Sequence, residues 1–204
     1  AILARLFGFT SNGPFWFIIP FYATIVLKYS VGMTGILIFL NALGMSVAGS
    51  IAGRLSDKFG TIKFIITGLT LLSITWLLFI VAGNDSPREY ILLLSLINGI
   101  SNGLWMAPNT SETLEKISTE YQGLISAFNA LIRNIGSVMG ISVSTILITS
   151  VLISNGLNVQ IGDLINGSKS EIKILTDAMN YSFIVSAGFG ILAIILSLVG
   201  KIRN

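Results

Sequence analysis

Arg133 is the only charge between residues 121 and 162, and it stands in the run LIRNIG, between Asn129 and Asn134. Four further amides, Asn12, Asn41, Asn98 and Asn102, also lie among apolar residues. A guanidinium and amides can attract anions and share hydrogen bonds, but they do not exchange protons near neutral pH. The groups that do so are missing or misplaced. There is no Cys and no His, which excludes disulfides, thiolate metal sites, Cys or His nucleophiles and His proton shuttles. Asp57, Glu112, Glu115, Glu120, Asp85, Glu89, Asp163, Glu171 and Asp177 all fall outside the apolar stretches. No clustered catalytic carboxylates, Ser–His pair or phosphate loop stands out, and no metal or cofactor set. The chemistry on offer is binding, and an enzyme is not expected.

These groups need elements to carry them. Of 204 residues, 53% are hydrophobic and 10% charged, with a mean hydropathy of +0.85. A soluble domain carries about 25% charged residues, so the solvent is read as lipid. Uncharged runs cover 6–27, 29–53, 64–84, 90–111, 134–162 and 178–200. A helix needs about 20 apolar residues to cross a core of roughly 30 Å. The runs are continuous, as in LTLLSITWLLFIVA, and lack the alternation of barrel strands. The expectation is an all-α polytopic membrane protein with spans at about 6–27, 32–53, 64–83, 90–109, 121–153 and 178–200. Residues 154–177, rich in Asn, Gly and Ser, read as a surface loop with a short amphipathic helix near Glu171–Asp177.

Basic residues set orientation. With the N-terminus inside, Arg5, Arg54, Lys58, Lys63, Lys116, Lys201 and Arg203 are cytoplasmic, against Lys28, Arg88, Lys169 and Lys173 outside. Both ends of the segment are then cytoplasmic and the cell membrane is the expected location. The net charge of +3 is dispersed and does not suggest nucleic acid. The first residue is Ala and no secretory pattern precedes it, so the chain reads as a piece of something longer.

Polar side chains are unevenly shared. The third and sixth spans carry only Ser, Thr and Tyr in their bodies, whereas the first, second, fourth and fifth carry amides. Unsatisfied polar groups in lipid cost several kcal/mol. Those four spans should therefore face protein or a water-filled cavity, with the third and sixth toward lipid. Each amide could equally be helix–helix glue. Ser11-Asn12-Gly13, followed by Trp16 and Pro20, is echoed by Ser101-Asn102-Gly103, followed by Trp105 and Pro108. Inverted three-span repeats, a transporter device, would leave such an echo, and so would chance. Arg133 admits three roles: binding a solute, steadying an acid elsewhere, or reaching to the interface as a structural cation.

Between the second and third spans stands GRLSDKFGTIK, residues 53–63. Gly53, Arg54, Asp57, Lys58 and Gly60 resemble the signature loop of the major facilitator superfamily, G-x-x-x-D-[RK]-x-G-[RK]-[RK]. Thr61 and Ile62 replace the basic pair and only Lys63 restores a charge. That departure suggests the C-terminal copy of the loop. Gly53 is expected to allow close packing, Gly60 a turn with positive φ, and Asp57 to meet backbone N–H groups or a helix N-terminus. Further on, Ala107-Pro108-Asn109-Thr110, Gln122-Gly123-Leu124-Ile125-Ser126-Ala127 and Arg133-Asn134-Ile135-Gly136-Ser137-Val138-Met139-Gly140 resemble the fourteen-span drug:proton antiporters, as does Pro20-Phe21-Tyr22.

The resemblance implies the C-terminal six-span half of a transporter, whose partner is an N-terminal half of six or eight spans. It implies proton-coupled efflux of amphiphilic small molecules by alternating access, with a latch at Gly53, Arg54, Asp57, Lys58, Gly60 and Lys63. In the superfamily the first, second, fourth and fifth spans of a half line the cavity. The candidate lining groups are Asn12, Phe15, Trp16, Tyr22, Asn41, Asn98, Asn102, Trp105, Met106, Asn129 and Arg133, where packing is the competing reading for each aromatic. Gly136 and Gly140 form a G-x-x-x-G packing pair. Any proton-carrying acid is expected in the absent half. A metabolite transporter of the same fold, and a six-span protein that pairs with itself or transports nothing, are the alternatives.

Overall fold

The computed structural model describes residues 2–82, 86–115 and 121–202, the side chains of 111–115 and 201–202 excepted, and its regular structure is all helical. α1 is Ile2–Phe21 and continues as a π-helical turn over Tyr22–Val26. α2 is Val31–Phe59, α3 Thr61–Val81, α4 Arg88–Glu115, α5 Gln122–Ser154 and α6 Lys169–Ile202. A 3-10 turn, Ile161–Asn166, lies between α5 and α6.

Five of these helices, α2 to α6, are long and apolar enough to cross a membrane. α1 is not in that set. Arg5, the polar run Thr10-Ser11-Asn12-Gly13 and two prolines, Pro14 and Pro20, dilute its apolar character.

Three boundaries differ from the sequence reading. The stretch 53–63 is not an open loop: α2 runs to Phe59, α3 starts at Thr61, and Gly60 alone makes the corner with φ +87°. Only glycine takes that conformation without strain. Gly53 does not serve close packing, since a Cβ there would meet nothing within 4 Å. It lies nearly two turns from the end of α2, on a side that meets no neighbour although Ala52 and Ser56 beside it are buried. Residues 169–177 are the first turns of α6 itself, so the connection is only 155–168. Ser168 starts the helix through a reciprocal cap: its backbone N–H donates to Glu171 Oε2 at 2.7 Å, and Glu171 N–H reaches Ser168 Oγ at 3.4 Å. The buried row Ile172, Leu175, Ala178, Met179, Ser182 and Phe183 then carries one helical phase from the loop into the bundle.

The packing has an internal symmetry. α1 lies against α5 and α6, α4 lies against α2 and α3, and α3 meets α6. Exchanging α1 with α4, α2 with α5 and α3 with α6 reproduces this pattern. The glycines that permit it correspond. A Cβ on Gly13 of α1 would strike the Ser137 backbone of α5, and one on Gly103 of α4 would strike Met45 O of α2 at 2.5 Å. On the other flank, Gly190 of α6 faces Ser11 and Gly68 of α3 faces Ser101. The echoed triplets therefore occupy equivalent places. Gly136 and Gly140 face α1: a Cβ on Gly136 would lie 2.7 Å from Leu6 O, and one on Gly140 would overlap Thr10 O.

One end of the bundle is filled by an aromatic cluster. Trp76 stacks on Phe183 with centroids 5.4 Å apart, Tyr22 meets Phe183 edge-on at 5.7 Å, and Phe15 and Phe79 pack against Trp76. Tyr22, on the π turn, donates its hydroxyl to Ala82 O at the end of α3.

Candidate functional site

Four of the amides singled out in the sequence, Asn12, Asn41, Asn98 and Asn102, converge between α1, α2 and α4. Asn102 Nδ2 donates to Asn12 Oδ1 at 2.9 Å and to Asn98 Oδ1 at 3.1 Å. Asn41 Nδ2 donates to the same Asn98 Oδ1 at 2.9 Å. Trp105 Nε1 donates to Asn102 Oδ1 at 3.2 Å. One network thus binds three helices through four amides and an indole. Helical spacing explains the convergence: Asn98 and Asn102 are four residues apart on one face of α4, with α2 to one side and α1 to the other.

This geometry separates the candidate residues into two groups. Phe15, Tyr22, Asn41, Asn98, Asn102 and Trp105 are at most 1% exposed, and Asn12 is 8% exposed. They are enclosed by neighbouring helices and support the bundle from within. Trp16 is 46% exposed, Met106 and Asn129 are half-buried, and Arg133 is exposed. Asn129 and Arg133 are four residues apart, on one face of α5. Arg133 lies one turn before Gly136, whose packing partners are Leu6, Phe9 and Thr10 of α1. Met106 follows Trp105, whose ring meets Phe9 edge-on at 4.9 Å. Phe9, Met106 and Arg133 are therefore at about one depth in the bundle, and Trp16 lies two turns further along α1.

Arg5 was counted in the sequence only among the charges that set orientation. It is 6% exposed. One guanidinium nitrogen donates to Asn129 Oδ1 and the other to Asn109 O at 2.8 Å. It ties the first turns of α1 to the end of α4 and to α5. The signal available was an arginine at the mouth of a long uncharged run, with an amide in another span to receive it. The residues expected to form a latch, Arg54, Asp57, Lys58 and Lys63, are all exposed around the Gly60 corner.

A second surface feature is a shallow pocket of about 330 Å³ at the opposite end, lined by Lys28, Tyr29, Ser30, Gly32, Met33, Ile36 and Arg88. Lys28 is turned away from it toward the α5–α6 connection, donating to Ile165 O at 2.8 Å.

Five helices long and apolar enough to cross lipid, with polar groups held between them, describe a multi-pass membrane protein. Known proteins agree. The chain is 29% identical over 124 residues to a riboflavin transporter of Clostridioides difficile, covering 61% of this chain and 27% of that protein. It is 25% identical over 134 residues to an uncharacterised transporter of Bacillus subtilis, covering 66% and 25%. A second uncharacterised transporter of that organism is 23% identical over 180 residues, covering 88% and 36%. The chain thus spans about a quarter to a third of the length of these relatives. The profile of the Major Facilitator Superfamily matches residues 1–203, nearly every position, and with the multi-pass helical bundle this places the chain in the Major Facilitator Superfamily, a family of membrane transporters.

Proposed function

We propose that this chain is the C-terminal six-span bundle of a secondary transporter that moves small amphiphilic organic molecules by alternating access. The observation that carries the reading is the inverted correspondence of α1 with α4. It puts polar groups from both helices at the centre of the bundle, the arrangement in which transporters of this kind place their substrate path. Six spans are supported by helix direction: α1 runs antiparallel to α4, as Asn12 with Asn102 and Arg5 with Asn109 require. α1 then crosses like its counterpart despite its polar composition. Trp16, Met106, Asn129 and Arg133 face the cavity, and the amide network holds the wall behind them. The Gly60 corner, with Arg54, Asp57, Lys58 and Lys63, is cytoplasmic and latches to the N-terminal bundle. Protons drive the cycle through an acid outside these residues.

The test is export from cells that lack their own exporters and express the full-length protein. Amphiphilic dye should accumulate severalfold less than in cells with empty vector, and a protonophore should abolish the difference. Equal accumulation with and without the protein would defeat the export reading. A second reading, carriage of a metabolite, is favoured by the similarity to a riboflavin transporter. Riboflavin uptake by the same cells without dye export would establish it instead.

A further inference from the structure

We infer that the cavity face of this bundle selects planar anionic amphiphiles and turns away lipophilic cations, with Arg133 as the residue that makes the distinction. The inference rests on the proposal that Trp16, Met106, Asn129 and Arg133 face the substrate path.

The argument is one of charge and place. All nine acidic residues fall outside the apolar stretches of the sequence, and Asp177 stands two turns into α6. Arg133 lies three turns into α5, and Arg5, in the first turn of α1, belongs to the same side of the bundle. Arg5 is buried and its charge is spread over Asn129 Oδ1 and Asn109 O. Arg133 stands one turn beyond Asn129 on the same face of α5 and is exposed. Arginine stays protonated in proteins. With no carboxylate in the apolar stretches, the field on this face is positive, and it strengthens where lipid and protein exclude water. A cation arriving there is repelled. An anion gains a forked donor that fits a carboxylate or phosphate through two parallel hydrogen bonds.

The surroundings set the rest of the ligand. Phe9 is half-buried at the depth of Arg133, and Met106 offers an adaptable thioether at the same level. Trp16 gives a large exposed ring two turns away. The separation suits a molecule with a flat apolar body and an acidic group at one end. The amides behind this wall are buried and carry no charge, so the recognition charge comes from Arg133.

The experiment uses the purified full-length protein and two dyes built on the same xanthene ring system, anionic fluorescein and cationic rhodamine 123. Binding is read by fluorescence anisotropy and movement by gradient-driven uptake into proteoliposomes. The wild-type protein should bind fluorescein at least tenfold more tightly than rhodamine 123. In Arg133→Gln the ratio should fall to within about twofold, chiefly by weaker fluorescein binding, and Arg133→Lys should recover most of the preference. Equal binding of the two dyes by the wild type, binding of neither, or an undiminished preference in Arg133→Gln would overturn the inference. The two readouts separate the claims. Charge-selective binding without any gradient-driven movement defeats the transport proposal alone, whereas movement of both dyes without preference defeats only the selectivity.

Discussion

At the scale of single residues, position in the helix counts for more than residue type. Gly53 and Gly99 are both glycines in long apolar helices. A Cβ on Gly53 would meet open space, whereas one on Gly99 would overlap Asn41 O of α2. No composition separates the two, because the difference is rotational: one points at a neighbour's backbone and the other does not. The amides pose the same problem. That Asn12, Asn41, Asn98 and Asn102 need partners was plain from lipid's inability to solvate them. That they bond one another, with Asn98 Nδ2 alone left buried without a partner among them, depends on the relative depth of three helices, which the sequence does not contain. Asn102 is the node of this network, touching Asn12, Asn98 and Trp105. Asn102→Leu should leave Asn12 Oδ1 and Trp105 Nε1 without these partners. Interhelical hydrogen bonds in membranes contribute on average about 0.6 kcal/mol and up to about 1.7. The loss of one such link and of the Trp105 bond within α4, with two stranded buried groups, should lower stability by roughly 1–3 kcal/mol. Unfolding of the full-length variant in mixed micelles, followed by tryptophan fluorescence, measures it. An unchanged midpoint would mean that the network is incidental to the packing.

At the scale of elements, uncharged runs located all six helices but not where they end. A charge marks the limit of the hydrocarbon, not the limit of a helix. α6 passes Asp177 and continues outward to Lys169 because capping and packing persist beyond the apolar zone. The pattern Ser168-x-x-Glu171 was legible as a helix start. The charges around it drew the reading toward a loop. The same holds at Gly60, where the positive φ was readable but the continuation of α2 through Arg54, Asp57 and Lys58 was not. The cap of α6 has a pH signature. Hydrogen bonds from Ser168 N–H and Oγ hold the Glu171 carboxyl below its ordinary range. A depressed value means that the stabilisation is present above the unfolded pKa and is lost as pH falls through the folded one. Amides near residues 169–177 should therefore keep their hydrogen-exchange protection at neutral pH and lose it in acid, after correction for intrinsic exchange. Glu171→Gln should remove that acid dependence. Equal acid sensitivity in the variant would place the titrating group elsewhere.

For the whole molecule, the open issue is whether α1 crosses the membrane like its counterpart α4. By apolar length alone it does not qualify, while α2 to α6 do. The polar residues that disqualify it are the ones the bundle uses: Arg5 is held by α4 and α5, Ser11 donates to Ser186 O of α6 at 2.7 Å, and Asn12 accepts from Asn102. A helix whose polar groups are satisfied by its neighbours can cross lipid without being apolar. If α1 crosses, Leu3 and Lys58 are cytoplasmic while Lys28 and Ser168 face outward. The absence of native cysteine in these residues makes labelling simple. Single cysteines at the four positions, in a full-length cysteine-free background, should divide cleanly under a membrane-impermeant maleimide. Lys28→Cys and Ser168→Cys should label in intact cells, and Leu3→Cys and Lys58→Cys only after permeabilisation. Labelling of Leu3→Cys together with Lys28→Cys in intact cells would place both ends of α1 outside. It would also break the correspondence with α4, because an inverted repeat requires both helices to span, in opposite directions.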